Sequence, residues 1–366
     1  MAEFDIIIYG ATGFTGRLVA EYIHATYPDR PWAMAGRSAS KLASVRDEMS
    51  LPADTPLIEA DASDPASLDA MVARARVIIT TVGPYLLYGE PLVAACVKAG
   101  TDYVDLSGEP PFMWDMIEKY NDAAKASGAR IVHSCGFDSI PFDMGVYFLQ
   151  QEAQKRFGAP LRDVKGRVRG MKGTFSGGTA ASGKETMKLA MGDPDVMKRL
   201  VSSFALTPGF EGPTQPYGNK PYEDPDFGIW VAPFVMASIN TKNVHRSNML
   251  MGHPYGTDFT YEEMMFTGKG EKGEAIASSI AKSNPMGDGD IKPGEGPSKE
   301  ERDNGSYDLM FTGVSDGGER LTVGVKGDRD PRYGSTSKML TEAAICLIEE
   351  AASAPGGVLT AAPVFG

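Results

Sequence analysis

A short apolar run at residues 4–9 (Phe-Asp-Ile-Ile-Ile-Tyr) ends in Gly10-Ala11-Thr12-Gly13-Phe14-Thr15-Gly16. A helical pattern follows, with Leu18, Val19, Tyr22 and Ile23 on one face. Glycines between a strand and a helix let backbone N–H groups and the helix N-terminus meet a pyrophosphate. The spacing is G-x-x-G-x-x-G rather than G-x-G-x-x-G, so the signal rests on the strand before it and the helix after it. Gly10, Thr12, Gly13, Phe14, Thr15 and Gly16 are therefore candidate cofactor residues. The next strand, 32–35, ends at Gly36-Arg37-Ser38, where a site preferring NAD would carry Asp or Glu for the ribose hydroxyls. Arg37, Ser38 and Lys41 stand there instead and suit a 2′-phosphate, so NADP(H) is the expected cofactor.

These residues need a sheet to position them, and the sequence supplies one. Strand patterns recur at 57–60, 77–82, 103–106 and 130–133, separated by helical stretches. Ser63-Asp64-Pro65 reads as a helix N-cap with proline in the first turn, and Gly100 and Gly128 read as helix stops. Six strands alternating with helices predict an α/β fold with a Rossmann-type, doubly wound parallel sheet. Ligands of such sheets lie beyond the carboxyl ends of the strands. That rule nominates Asp61 as a neighbour of the adenine, Gly83 and Pro84 as further cofactor residues, and 83–85, 107–109 and 135–139 as the floor near the nicotinamide.

Composition narrows the function. The 366 residues carry 36 basic and 48 acidic side chains, a net charge of −12. No run of Lys or Arg suits phosphate neutralisation or an anionic membrane surface, so nucleic-acid binding is not expected. The longest apolar stretches, such as 75–82, fall far short of the ~20 residues that span a bilayer, and the N-terminus has no signal-peptide layout. Three dispersed cysteines and four dispersed histidines form neither a disulfide framework nor a metal-ligand spacing. The expectation is a cytoplasmic, metal-free protein without a transmembrane segment. The 42 glycines and 25 prolines point to loops where backbone must approach something closely.

Residues 10–16 (GATGFTG), 35–37 (AGR), 81–85 (TVGPY), 103–109 (YVDLSGE) and 132–141 (VHSCGFDSIP) resemble the saccharopine dehydrogenase-like NADP-binding family. The branch that includes the mycobacterial trans-acting enoyl reductases is the most similar, and the likeness continues through SGGTAAS at 176–182, VHRSN at 244–248, PGEGPS at 293–298 and GGVLT at 356–360. The resemblance implies a second, α+β domain inserted into the nucleotide domain. Accordingly 1–133 plus 334–366 are read as the NADP-binding domain and 134–333 as the substrate-binding and dimerising domain of a homodimer. Strand-like alternation at 165–173 and 320–326 and a helical pattern at 335–352 agree with that order. The Pro-, Gly- and acid-rich segments 206–227 and 283–305 read as binding loops or as solvated insertions.

Reducing a conjugated double bond puts hydride on the β-carbon and leaves an enolate that needs hydrogen-bond donors and an acid. Tyr85, Ser107 and Ser139 are the strand-end hydroxyls able to donate, and Asp138 is placed to orient a donor or relay a proton. Cys135 reads more as packing than as an acid, His133 as a core histidine, and Glu109 either as a nicotinamide neighbour or as a helix cap. In the second domain Lys172 and Ser176, with Thr174 and Thr179, occupy a Gly-rich passage. Arg246, Asn248 and Tyr255, with Ser247, form a polar group amid aromatics, and these are the substrate-binding candidates. Trp230, Val231, Phe234, Val235 and Met236 read as an apolar wall or as core. A saccharopine-type imine reductase would need paired arginines for two carboxylates; Arg167 and Arg169 could contribute, but their spacing suits one exposed strand face as well, and the sequence shows no firm dicarboxylate signature. Three readings follow: an enoyl-type reductase of a hydrophobic small-molecule substrate, a saccharopine-type imine reductase, or a non-catalytic, lipid-associated nucleotide-binding scaffold.

Overall fold

The computed structural model describes residues 2–173, 177–283 and 296–366, with the side chains of 177–181 excluded. The apolar runs of the first third become β1 (Phe4–Tyr9), β2 (Trp32–Gly36), β3 (Leu57–Glu59), β4 (Ala75–Thr80), β5 (Asp102–Val104) and β6 (Arg130–Val132). Then come β7 (Asp163–Lys172), β8 (Tyr222–Asp224), β9 (Ile229–Pro233), β10 (Thr260–Gly268), β11 (Ser306–Val314), β12 (Arg320–Gly327) and β13 (Gly357–Leu359).

The first sheet has the order β13-β6-β5-β4-β1-β2-β3, and every pairing in it is parallel. The order reverses at β1, between β4 and β2, which is where a doubly wound sheet opens a crevice for a ligand. Ile6, Ile7 and Ile8 are fully buried because helices cover both faces, so β1 reads as a continuous apolar run instead of alternating. The connecting helices begin and end as their sequences dictate. The Asp64 carboxylate accepts the Ala66 amide with Pro65 in the first turn, and Gly100 and Gly128 end their helices with φ of 70° and 83°.

The seventh strand, β13, comes from the C-terminus and pairs with β6, Val358 opposite Ile131. The sequence pattern does not reveal this strand. At three residues, GVL, it is too short for any periodicity to register.

The second sheet has the order β12-β11-β7-β10-β9-β8 and is mixed: β7 and β10 run parallel, and the other pairs are antiparallel. The long helix Ile140–Phe157 connects the two sheets in sequence and packs under the second. Phe142 meets Phe311 edge-on at 6.2 Å and lies 5.5 Å from Phe234. Gly145 allows this approach, since a Cβ there would stand 2.2 Å from the Phe311 ring. One apolar core runs from Ile7 and Tyr103 through Phe137 and Phe142 to Val168 and Phe311, so both sheets share it.

Candidate active site

Three backbone facts shape the turn after β1. Gly10 has φ +93°, and a Cβ there would stand 2.8 Å from the side chains of Thr81 and Val82. At Gly16 a Cβ would stand 2.2 Å from the Gly10 carbonyl oxygen, so the helix can pack onto the turn only with glycine there. The helix Phe14–Thr26 begins at Gly13 with no side chain capping its first amides, which leaves its positive end available to an anion. Phe14 meets Tyr333 edge-on at 4.7 Å.

Thr12, Arg37, Ser38, Lys41 and Asp61 line one cleft of about 280 Å³ beside this turn. Arg37 and Lys41 are exposed, and Ser38 caps the helix Ala39–Glu48 by accepting the Lys41 amide at 3.3 Å, which places the cation one turn into that helix. The Asp61 carboxylate accepts the Ser63 amide and hydroxyl at 2.8 and 2.7 Å, and these bonds hold its pKa below the usual carboxylate range. Two cations, a hydroxyl, an uncapped helix end and glycines that no Cβ could replace fit an adenosine dinucleotide with a 2′-phosphate.

The strand-end loops tell a different story for the expected catalytic hydroxyls. Tyr85 is buried against Phe112, donates to the Thr80 carbonyl at 3.2 Å and accepts the Leu106 amide at 3.4 Å. Ser107 is buried, and its Oγ accepts the Glu109 amide at 3.2 Å. The Tyr85 hydroxyl is thus engaged with backbone groups on both sides, whereas Ser107 Oγ accepts one amide within its own loop. Glu109 is a helix cap: its carboxylate accepts the amides of Tyr85 and Leu86, both at 2.9 Å, and the Ser182 hydroxyl at 2.6 Å. Burial nevertheless raises its pKa.

Beneath these loops Asp105, fully buried, accepts the Tyr103 hydroxyl at 2.8 Å and the amides of Ser107 and Ser134 at 2.9 Å, and contacts His133 Nδ1 at 2.7 Å. Phe112 and Tyr103 flank the imidazole edge-on. Cys135 is buried, with its thiol pushed up by burial, and packs rather than reacts.

Ser139 and Asp138 keep company that the sequence did not reveal. The Ser139 hydroxyl donates to Asn240 Oδ1 at 3.0 Å, and Asn240 Nδ2 donates to Glu263 Oε1 at 2.7 Å. Glu263 Oε2 accepts the Tyr261 hydroxyl at 2.8 Å. All four side chains are buried. Burial pushes Glu263 up to about 8. Asp138 is half-buried beside Arg332; burial raises its carboxyl and the guanidinium opposes that rise. A carboxylate on the same strand parity as the buried Tyr261 was the one readable sign of Glu263. Asn240 had no local sign, because only the packing of its helix, Ala237–Leu250, aims it at β10.

The substrate-binding candidates disperse. Lys172 is exposed at the end of β7 opposite Ser306, and Ser176 and Thr174 lie outside the described residues, as does the side chain of Thr179. Arg246 is buried and donates to the carbonyls of Leu206 and Val358, tying a loop and β13 to its helix. Asn248 clasps its own loop, donating to Gly256 O at 2.9 Å and accepting the Tyr255 amide at 2.9 Å, and Tyr255 is core against Phe259. All three side chains are buried against other parts of the chain. Arg167 is neutralised by Asp224 and Glu262, and Arg169 by Asp308, so neither offers a free guanidinium to a substrate carboxylate. Phe234 and Met236 both belong to the core, and Met236 also approaches Gly108, whose Cβ position lies 3.6 Å from the methionine methyl.

Residues 6–132 match the family model of the saccharopine dehydrogenase NADP binding domain. A Mycobacterium tuberculosis protein assigned as a trans-acting enoyl reductase is 42% identical, with 100% of this chain and 94% of that protein covered. A trans-acting enoyl reductase of Mycobacterium bovis is 38% identical over the same shares. Among solved structures, the apo form of saccharopine dehydrogenase (L-Glu forming) from Saccharomyces cerevisiae matches 99% of this chain and 94% of its own, with a TM-score of 0.53 and 12% identity, a likeness of fold. With a full-length match of this strength laid over a glycine turn and cation-lined cleft that suit NADP, the chain belongs to the trans-acting enoyl reductases of the saccharopine dehydrogenase-like family.

Proposed function

We propose that this protein is an NADPH-dependent oxidoreductase that reduces a carbon–carbon double bond conjugated to a carbonyl in a hydrophobic small-molecule substrate. The observation that carries this reading is the full-length similarity to enoyl reductases of a chain whose five cleft residues, Thr12, Arg37, Ser38, Lys41 and Asp61, suit a 2′-phosphorylated dinucleotide. When bound, NADPH supplies the hydride. The chain's own residues bind and orient. The Gly10–Gly13–Gly16 turn and the following helix end take the pyrophosphate, Arg37 and Lys41 take the 2′-phosphate, and the loops at Gly83-Pro84, Gly108 and Gly136 floor the nicotinamide end. Met236 presents an apolar methyl near that floor. The internal pairing of Arg167 and Arg169 removes the carboxylate cradle that a saccharopine-type imine reductase would draw from them.

The same reading assigns residues 1–133 plus 334–366 to the nucleotide domain and 134–333 to a substrate-binding domain that forms a homodimer in the cytoplasm. Among the described residues no helix is long and apolar enough to cross a membrane. The test is a transfer assay with 4-deuterated NADPH across enoyl thioesters, enals and lysine–oxoacid imines. Deuterium on an enoyl β-carbon supports the proposal, deuterium on a former imine carbon replaces it, and NADPH binding without transfer to any class refutes catalysis of this kind. Sedimentation equilibrium tests the dimer.

A further inference from the structure

The chain of hydrogen bonds from Ser139 to Glu263 has a direction, and chemistry fixes it. An ionised carboxylate only accepts, so Asn240 must turn its Nδ2 toward Glu263 and its Oδ1 toward Ser139. Ser139 has one proton, and that proton is then committed to Asn240. In this arrangement Ser139 can offer a ligand nothing but lone pairs. If Glu263 is neutral, its carboxyl O–H donates to Asn240 Oδ1 once the amide turns over, and Nδ2 then donates to Ser139 Oγ. The Ser139 proton is released to face outward. The Tyr261 hydroxyl donates to the other carboxyl oxygen in both arrangements.

We propose that Glu263 is a positioning residue that, through the orientation of the Asn240 amide, sets whether Ser139 presents a proton or a lone pair to the substrate carbonyl oxygen. The proposal rests on the enoyl-reductase reading for the identity of that oxygen. Ser139 stands in the loop after β6, at the carboxyl edge where ligands of such sheets lie. An enolate oxygen formed there is stabilised by a donor and repelled by a lone pair, so the neutral-Glu263 arrangement is the productive one. Asn240, Tyr261 and Glu263 are each 1% exposed, and Ser139, at 5%, is the most exposed member of the chain.

The groups around Glu263 set its titration. Tyr261 shares its strand, Asn240 faces it from helix Ala237–Leu250, Asp138 from the loop after β6, and Arg167 from β7. Burial raises the carboxyl most and Asp138 adds to the rise, while Asn240, Tyr261 and Arg167 oppose it, leaving it at about 8. The productive state therefore prevails below that pH and is lost above it.

Two measurements on the full chain test this. The first needs no turnover: the side-chain amide resonance of Asn240 is followed by NMR against pH, alongside the carboxylic C=O stretch of Glu263 by infrared spectroscopy. Both should move with one midpoint near pH 8, and Glu263→Gln should abolish the stretch and leave the amide still. An Asn240 resonance that stays put while the carboxyl titrates overturns the proposal. The second is kcat against pH with NADPH and an enoyl thioester. In the wild type kcat falls about tenfold per pH unit above the midpoint, with KM for NADPH unchanged. In Glu263→Gln, whose uncharged amide can both donate and accept, the profile is flat. Retention of the alkaline limb in that variant overturns the proposal, and if the variant does not fold the wild-type resonances decide. Should the wild type move no deuterium to any enoyl carbon, the enoyl reading fails, and the amide titration still decides the polarity of the chain.

Discussion

The Ser182 hydroxyl donates to the Glu109 carboxylate at 2.6 Å, and the same carboxylate caps the first turn of the short helix Tyr85–Tyr88. The helix Gly177–Gly192, which carries Ser182, is thus pinned to the short helix that follows β4. Substituting Ser182 by alanine removes a charge-assisted bond, with an expected cost of about 1.5–3 kcal/mol in urea unfolding. Glu109→Ala leaves two amides without their acceptor and is the more damaging change. Equal stability of the two variants would show that Ser182, not the capped amides, carries the contribution.

Arg37→Glu replaces a cation at the cleft by an anion. The expected outcome is a loss of NADPH affinity of about 10–100-fold, corresponding to one charged hydrogen bond of about 1.5–3 kcal/mol, with NADH affinity little changed. Quenching of protein fluorescence by each nucleotide measures both. An equal loss for the two nucleotides would remove Arg37 from 2′-phosphate recognition.

Gly16→Ala places a methyl group 2.2 Å from the Gly10 carbonyl, which the helix cannot avoid without leaving the turn. Nucleotide binding should be abolished for NADPH and NADH alike, and differential scanning calorimetry should show a lower Tm. Gly128→Ala, where a Cβ meets nothing within 4 Å, is the contrast: at φ +83° its cost is backbone strain alone, and nucleotide binding should persist.

Asp143 is buried, accepts the Ser247 hydroxyl at 2.7 Å and the Ala362 amide at 2.9 Å, and is pushed up to about 6 by burial. A carboxyl whose folded pKa exceeds its unfolded value stabilises the fold fully below the unfolded value, near 3.8, and that contribution is lost as the pH rises through about 6. Asp143→Asn should therefore stabilise the protein at pH 8 by about 2–3 kcal/mol relative to wild type and give no gain at pH 4. Urea unfolding at the two pH values checks the sign, and a gain confined to pH 4 would refute it.

The nucleotide half of this protein was legible because its determinants are local. The apolar runs of β1 and β4, the glycines at 10, 13 and 16, and the Asp64 cap each act within one turn or one strand–helix step. The cleft residues Thr12, Arg37, Ser38 and Asp61 follow the ends of successive strands and Lys41 stands in the first turn of the helix after β2, so parallel pairing and one helix start gather them. The catalytic and substrate candidates fared differently. Tyr85, Arg246, Asn248 and Tyr255 carry the right chemistry at plausible positions, but the backbone groups they satisfy come from elsewhere in the chain. Arg246 reaches a carbonyl of β13, 112 residues away in sequence.

The sequence by itself determined the parallel sheet, the phosphate turn and the cation-lined cleft, since periodicity, glycine geometry and strand-end position are properties of short segments. Only the tertiary structure decided which polar side chains remained free for chemistry. That choice is made by long-range packing: burial forces every polar atom to find a partner, and the partners of Ser139, Asn240 and Glu263 lie on three elements far apart in the chain. The physical reason is that desolvation is a property of the assembled core, which raises the Glu263 carboxyl and fixes the direction of its hydrogen bonds, and which no local pattern encodes.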